Sequence, residues 1–490
     1  MNLTPESVFA ILAAVALLLY IFVWWVTRNL PLAAKLVART GLALVMFLPL
    51  VLGVSFKDTA NRVPAPQSMP GRDIASEDKA AEYPVPAPPP SRGAPRVRTP
   101  QEQPSASYRP QAAQPSPEPP AAAPKMDDMM ASSPPPPAAA APPEDADWDV
   151  VPVFYGTDRA RSSVTQRIDY DSGRGRRLQL GHALITVPKS HQVPQIERPW
   201  VYHLPLTNIV IWRESEDPKK HFTIKEIREV GEQEFLELVR KRISESNQFK
   251  DHALVFIHGF NTSFEFAVFR TAQVAYDLKF DGAPFLYSWP SKGQLGMQDY
   301  SYDRESAGAA EPYFRQFLEL VTKQTGAKSV SIIAHSMGNQ LLLPVLRDLR
   351  RSAPEGVVIS QVILAAPDVD RDTFEFLAQE IQGISGGVTL YAAANDRALS
   401  VSRQFWGGPR AGDVPPDGPI VVPGVDTIDV TAINTELFSL NHSGYAEKTV
   451  LLNHIQNLIQ TGARPPEKRV PILERIATDK GPFWRYPPGN

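Results

Sequence analysis

The chain has 490 residues, no cysteine, 49 prolines and a formal net charge of -3 at pH 7. This length corresponds to about two to three domains of roughly 150 residues each. The lack of cysteine excludes disulfides, a cysteine nucleophile, cysteine-ligated zinc and iron–sulfur clusters. Because 50 basic residues nearly balance 53 acidic ones, the composition argues against a dedicated nucleic-acid-binding protein, which needs a basic surface.

Two apolar segments near the N-terminus predict a transmembrane helical hairpin over residues 1–57. Residues 8–26 and 40–56 carry no charged side chain, and each is close to the length that crosses a hydrocarbon core of about 30 Å. The loop between them contains basic but no acidic residues, which favours a cytoplasmic loop. We therefore expect a multi-pass protein of a bacterial inner membrane whose remaining chain is periplasmic. The opposite orientation and a cleaved signal peptide are the alternatives.

Residues 58–147 predict a disordered linker rich in proline and alanine. The stretch 61–150 holds 23 of the 49 prolines and few isoleucine, leucine or phenylalanine residues. Such a composition cannot bury enough apolar surface to fold, and proline runs favour the extended polyproline II conformation. We therefore expect the linker to separate the membrane hairpin from a globular part.

From residue 148 to residue 464 the sequence predicts one α/β domain. Short β-branched runs in VVPVFYGTDRAR, GHALITVPKS and NIVIWRES predict strands. The next predicted elements, in chain order, are a helix over 232–243, a buried strand in HALVFIHGF, a helix over 265–278, a strand in APFLYSWPS and a helix through 313–325. Asp303 could cap the last of these helices.

The second half of this domain continues the alternation of strands and helices. The strand SVSII leads through a sharp turn into a helix over 340–351. Three further strands are predicted in QVILAAPD, VTLYAAAND and TIDVTAIN, of which TIDVTAIN is the last. A closing helix over 451–459 follows them. This alternation indicates a mostly parallel sheet flanked by helices. Residues 465–490 form a C-terminal tail, whose FWRYPP segment we expect to pack back on the domain; a docking motif is the alternative.

The segment Ala334-His335-Ser336-Met337-Gly338 follows an apolar strand and opens a helix. This is the context of the G-x-S-x-G nucleophile elbow, in which small residues flank a serine on a tight turn. Alanine stands at the first glycine position, and it is small enough for that turn. We predict that Ser336 is a nucleophile and that the amide of Met337 is an oxyanion donor. An ordinary serine in a strand–helix turn is the alternative.

A serine nucleophile needs an adjacent base, and in this fold the chain order is serine, acid, histidine. Of the two histidines that follow the elbow, His442 lies in a loop after the last predicted strand and His454 lies in the closing helix. We therefore favour His442 as the base. Asp396, at the end of the penultimate strand, is the favoured acid that orients the imidazole. Asp368 and Asp370 are the alternative acids.

The segment His258-Gly259-Phe260-Asn261 ends an earlier strand and completes the predicted site. Glycine lets a backbone approach a ligand closely. We predict that the amide of Phe260, or that of Asn261, is the second oxyanion donor. His258, Gly259 and Asn261 are assigned to the pocket together with Trp289, for which core packing is the alternative.

In this order the segments resemble a bacterial α/β-hydrolase family known as domain of unknown function nine hundred. The resemblance spans about residues 151–460 and rests on VFYGTDRAR, GHALITVPKSH, VFIHGFNTSFEFAVFRTAQVAYDL, YSWPSKG, IIAHSMGNQLL, LAAPDVD, NDRALSVSR and NHSGY. It implies an α/β-hydrolase fold and a catalytic triad of Ser336, Asp396 and His442. It implies no particular substrate.

The expected function is that of a membrane-anchored serine hydrolase. It would cleave a carboxylic ester or thioester of a small or lipid-like molecule without a metal or other cofactor, and it would contact the bilayer through residues 8–56. A non-catalytic envelope binding or scaffold protein on the same fold is one alternative. A lipase or acyltransferase acting at the membrane is the other.

Overall fold

The computed structural model describes the chain from residue 146 onward, with gaps. The described residues are 146–163, 167–203, 210–294, 296–352, 359–394, 396, 399, 402–403, 408–433 and 445–487, with the backbone alone for 445–449. The predicted hairpin over 1–57 and all but the last two residues of the predicted linker over 58–147 lie outside these ranges. Among the described residues, no helix combines the length and apolarity that crossing a bilayer requires.

The described residues form thirteen strands and six α-helices. The strands are β1 (Trp148–Arg161), β2 (Tyr170–Pro188), β3 (Val201–His203), β4 (Val210–Arg213), β5 (Thr223–Val230), β6 (His252–Ile257), β7 (Ala283–Ser288), β8 (Ser329–His335), β9 (Ile359–Ala365), β10 (Val388–Ala392), β11 (Val425–Asp429), β12 (Glu474–Thr478) and β13 (Gly481–Arg485). The helices are α1 (Glu232–Glu245), α2 (Phe264–Asp277), α3 (Met297–Gln324), α4 (Gly338–Ser352), α5 (Arg371–Glu380) and α6 (Tyr445–Thr461).

Eleven of these strands form one sheet in the order β12-β13-β11-β10-β9-β8-β6-β7-β1-β2-β5. Every neighbouring pair from β13 to β1 is parallel, and the pairs at the two edges are antiparallel. The carboxyl ends of β6 to β10 therefore meet at one edge of the sheet. In open parallel sheets this edge is where ligands bind.

Helices cover both faces of the central strands. β6, β7 and β8 are buried over almost their whole length, which explains their continuous apolar sequence. Side chains of α1, α3, α4 and α5 pack in the core on one face, and side chains of α2 and α6 pack in the core on the other. The predicted mostly parallel sheet flanked by helices is confirmed.

One predicted helix boundary is wrong. α3 begins at Met297, so Asp303 lies inside the helix and does not cap it. The Asp303 carboxylate instead accepts hydrogen bonds from the Ser291 hydroxyl at 2.5 Å and from the Lys292 amide at 2.8 Å. Its role is to hold the loop that precedes the helix.

The C-terminal tail adds two strands to the sheet. β13 pairs in parallel with β11, with Ile428 opposite Trp484, and β12 pairs with β13 as an antiparallel hairpin. Phe483 and Trp484 are buried, so the FWRYPP segment packs back on the domain as expected. The strand predicted to be last is therefore followed by two more, because an added edge strand leaves only a short and weakly alternating pattern in the sequence.

His191 lies between two carboxylates in the loop that follows β2. Its Nδ1 is 2.9 Å from Glu197 Oε2, its Nε2 is 2.9 Å from Asp277 Oδ1, and its side chain is 3% exposed. Burial alone would lower the pKa of His191, but the hydrogen bonds with Asp277 and Glu197 outweigh burial and raise the pKa to about 9. The folded protein therefore holds this imidazole protonated at neutral pH.

His191 is expected to make the free energy of unfolding depend on alkaline pH. The pKa of His191 is raised to about 9 in the folded protein, against about 6.5 in the unfolded chain. This difference stabilises the folded state by roughly 3 kcal/mol. The stabilisation is fully present below about pH 6.5 and is lost as the pH rises through about 9. We expect the difference in free energy of unfolding between wild type and His191→Gln, measured with urea, to shrink as the pH is raised from about 6 to about 10. His182→Gln is the control, because burial lowers the pKa of His182 to about 4. Parallel curves for wild type and His191→Gln would argue against this linkage.

Candidate active site

Ser336 occupies a strained turn between β8 and α4. Its φ is +50°, a left-handed conformation that non-glycine residues adopt only where the surrounding structure enforces it. The Ser336 amide donates to the Ala365 carbonyl at 2.9 Å, and the Ser336 carbonyl accepts from the Asp368 amide at 3.2 Å. These two bonds tie the turn to the end of β9. Strain of this kind at a strand–helix junction is the geometry that a nucleophile elbow requires.

Small residues around this turn allow three backbones to meet. A Cβ on Gly338 would lie 2.6 Å from the His258 carbonyl oxygen, so α4 can begin against the end of β6 only with glycine at that position. A Cβ on Gly259 would lie 3.0 Å from the Ser336 Cβ and 2.9 Å from the His335 Nδ1. The loop over residues 258–262, called here the oxyanion loop, therefore passes directly against Ser336.

The two predicted oxyanion donors follow the residues that meet here, Phe260 after Gly259 and Met337 after Ser336. Met337, in the turn just before α4, is fully buried, and Phe260 is half-buried with its ring 5.3 Å from that of Tyr300. Within the described part of the chain, the amides of Phe260 and Met337 have no protein acceptor. Backbone donors held in this way beside a nucleophile can receive the charge of a tetrahedral intermediate.

His258, the first residue of the oxyanion loop, packs against Trp289. Their rings stack with centroids 5.0 Å apart, and the Trp289 indole donates to the His258 carbonyl at 2.8 Å. Both residues are buried. Burial and the nearby charge of Arg159 hold the pKa of His258 well below its usual range, so its imidazole is neutral. Asn261, on the loop itself, has a φ of +57°.

The three aspartates proposed as the acid have different surroundings. Asp396 follows β10, is half-buried, and accepts a hydrogen bond from the Leu399 amide at 3.0 Å. Asp370 is the N-cap of α5 and accepts from the amides of Asp372 and Thr373. Asp368, which follows β9, is buried at the centre of a polar cluster. Asp396 and Asp370 thus each accept a hydrogen bond from an amide three residues further along the chain, whereas Asp368 is bound by side chains from other segments.

The Asp368 carboxylate is engaged on both oxygens. Oδ2 accepts from the Tyr300 hydroxyl at 2.5 Å, and Oδ1 accepts from the Ser402 hydroxyl and from Arg410 Nε, each at 2.7 Å. Burial and the charge of Asp368 raise the pKa of Tyr300 to about 12. This cluster connects α3 to the segment that follows Asp396. Within it, the Asp368 carboxylate forms an ion pair with Arg410.

The two candidate histidines fall in different parts of the chain. His442 lies outside the described residues, between β11 and α6. Because β10 and β11 pair in parallel, the segment after β11 leaves the sheet at the same edge as Ser336 and Asp396. His454 is fully buried in α6, with its Nδ1 3.1 Å from the Tyr486 hydroxyl. Burial and then the charge of Arg469 lower the pKa of His454 to about 3, as in a neutral core residue.

The sequence does not single out the buried polar residues around the site, above all Arg159, Tyr300 and Arg410. The signal for Arg159 was a charged residue inside the apolar strand motif VFYGTDRAR, since a buried arginine is rare unless it is paired. Across the described ranges, no group of three or more His, Asp or Glu side chains is arranged to hold a metal ion. The described part of the site is thus made of hydroxyls, amides and fixed charges.

Comparison with solved structures gives low overall similarity. A predicted CIB-like hydrolase from Thermoplasma acidophilum is 14% identical and matches over 44% of this chain and 89% of its own, with a TM-score of 0.26. A lipase-esterase related protein from Clostridium acetobutylicum is 11% identical, over 44% and 97% of the two chains, with a TM-score of 0.24. The RedJ thioesterase of the prodiginine biosynthetic pathway in Streptomyces coelicolor is 13% identical, over 44% and 86%, with a TM-score of 0.23.

The family comparison is more specific. No curated protein matches the sequence significantly. Residues 232–461 match the family described as "Alpha/beta hydrolase of unknown function (DUF900)". This span runs from α1 to α6 and contains β6 to β11 with the Ser336 turn. Residues 232–461 are therefore similar to the DUF900 α/β hydrolases, and the observed sheet order agrees with an α/β-hydrolase fold.

Proposed function

We propose that this protein is a serine hydrolase that cleaves a carboxylic ester or thioester through an acyl-enzyme. The observation that carries the proposal is the φ of +50° at Ser336, on the turn between β8 and α4. A strained serine against a glycine-containing loop is how α/β hydrolases expose a nucleophile. The match to a family described as α/β hydrolases supports the same class of reaction.

The proposed mechanism uses Ser336, His442 and Asp396. His442 removes the hydroxyl proton as the Ser336 oxygen attacks the carbonyl carbon, and Asp396 holds the imidazole in the required tautomer. The carbonyl oxygen becomes an oxyanion that the amides of Phe260 and Met337 stabilise. Collapse of this intermediate expels the alcohol or thiol, which takes the proton from His442. Water then attacks the acyl-enzyme with His442 again as base, releasing the acid and free Ser336.

Hydrolysis of p-nitrophenyl esters by the full chain tests this proposal. We expect measurable turnover with the wild-type protein and loss of turnover in Ser336→Ala. A rate that peaks at short acyl chains would support an esterase, and a long-chain optimum would support a lipase. A folded wild-type protein without activity on any chain length would favour the non-catalytic scaffold.

We also propose that the domain is anchored in a bacterial inner membrane and faces the periplasm. The support is the pair of uncharged segments over 8–26 and 40–56 and the basic loop between them. Alkaline phosphatase fused after Phe56 should be active, because this enzyme folds only outside the cytoplasm. An inactive fusion beside an active cytoplasmic reporter at the same position would reverse the orientation.

A further inference from the structure

Arg159 is a buried cation that the proposed reaction does not use. It lies near the end of β1 and is 1% exposed. Burial lowers its pKa to about 10, so the guanidinium remains charged at neutral pH. Because a buried charge is costly unless all of its donors are satisfied, the contacts of Arg159 indicate what it holds in place.

The guanidinium makes five contacts, as many as it has N–H donors. Nε donates to Ser288 Oγ at 2.9 Å. Nη1 donates to the carbonyls of Ser291 at 2.8 Å and Asp171 at 3.4 Å. Nη2 donates to the Thr262 carbonyl at 2.7 Å and lies 3.4 Å from His258 Nε2. These partners come from the β1–β2 hairpin, the end of β7 and the oxyanion loop. One side chain thus joins three segments that are distant in sequence.

Two of the five partners bracket the predicted oxyanion donor. His258 precedes Phe260 in the oxyanion loop, and Thr262 follows it. Between them Asn261 has a φ of +57°, a conformation that persists only where neighbouring groups hold it. Its amide donates to Asp303 Oδ2 at 3.2 Å. The loop around Phe260 is therefore fixed from two sides, by a cation and by a carboxylate.

We propose that Arg159 is a positioning residue that holds the oxyanion loop in the geometry that presents the Phe260 amide to the reacting carbonyl oxygen. This inference rests on the proposed function, because it requires that the amide stabilises an oxyanion. Preorganised donors accelerate a reaction because they need no reorganisation as charge develops. A planar guanidinium fixes several acceptors at once, which a lysine ammonium cannot do with the same geometry.

The test compares ester hydrolysis by the full-length wild type, Arg159→Lys and Arg159→Met. We expect kcat to fall about 10- to 100-fold with KM within about two-fold, because a small misplacement of a catalytic group acts on the transition state. The second readout is affinity for a trifluoromethyl ketone. The Ser336 oxygen adds to its carbonyl carbon, the serine proton passes to His442, and the carbonyl oxygen becomes an alkoxide in the oxyanion hole. This affinity should fall in parallel with kcat/KM.

The matched control is Arg464→Lys. Arg464 donates to the carbonyl of Val388, at the opposite edge of the sheet, so its replacement should affect stability and leave kcat unchanged. If Arg159→Met does not fold, Arg159→Lys and Ser288→Ala carry the test, since Ser288→Ala leaves the guanidinium in place and removes the hydroxyl that contacts Arg159 Nε and His258 Nε2.

Two results would overturn the positioning role. One is a folded Arg159→Lys with wild-type kcat and wild-type affinity for the ketone. The other is an equal loss of kcat in Arg464→Lys, because the loss would then follow stability alone. Failure of the proposed function looks different: the wild-type protein itself would neither hydrolyse the ester nor bind the ketone.

Discussion

Replacing Ser336 by alanine is expected to lower kcat for ester hydrolysis by about 10⁴- to 10⁶-fold, because binding and the oxyanion hole alone retain only about 10³- to 10⁴-fold acceleration over the reaction in water. Alanine keeps the buried position and the φ of +50°, so the free energy of unfolding should change by less than about 1 kcal/mol. Initial rates with a p-nitrophenyl ester and urea unfolding of the full chain measure the two effects.

Ser331→Ala is the control for the loss of a buried hydroxyl. Ser331 lies on β8, the strand that leads into the Ser336 turn, and is fully buried with its Oγ 3.1 Å from that of Ser360. Its replacement should leave kcat unchanged. Ser336→Gly should be as inactive as Ser336→Ala and about 1 kcal/mol more stable, because glycine adopts positive φ without strain. If Ser336→Ala retained more than about a tenth of the wild-type kcat, Ser336 would not be the nucleophile.

The second large effect separates Asp396 from Asp368, two of the three candidate acids. Asp396→Asn is expected to lower kcat by about 10⁴-fold with little change in stability, because the histidine would be held in the wrong tautomer. Asp368→Asn is expected to act mainly on stability. It leaves Arg410, whose side chain is 6% exposed, as a buried cation without its carboxylate, which costs about 3–5 kcal/mol. Kinetics at a temperature where both variants are folded, together with urea unfolding, measure the contrast.

Asp370→Asn is the matched control, because asparagine caps a helix about as well as aspartate. Asp370 accepts hydrogen bonds from two amides at the start of α5, so neither kcat nor stability should change in this variant. The assignment of Asp396 would be wrong if Asp396→Asn kept its activity while folded Asp368→Asn lost it.

Much of the domain could be predicted from the sequence because its signals are local. β6 and β8 are parallel strands buried on both faces, and such strands leave uninterrupted apolar runs. The Ser336 turn has a strand before it, a helix after it and small residues on both sides, and each of these is visible in five to ten letters of sequence. The steric reason for Gly338, the nearby His258 carbonyl, appears only in the fold.

The remaining features depend on contacts between distant residues. Arg159 meets partners up to 132 positions away, and the bonds of the Asp368 side chain span 34 to 68 positions. A single sequence does not reveal which of these distant residues contact each other. Asp303 was misassigned because α3 begins after Gly296, which provides no side-chain cap. An aspartate inside the helix then resembled a helix start.

The most direct test of the central claim is to locate the residue that reacts with a fluorophosphonate. The nucleophilic oxygen attacks phosphorus, fluoride leaves, and the phosphonate remains bonded to the protein. Mass spectrometry of the digested full chain should place one adduct on the peptide that contains Ser336, and Ser336→Ala should not be labelled. An unlabelled wild-type protein, or labelling that persists in Ser336→Ala, would contradict the assignment of Ser336 as the catalytic nucleophile.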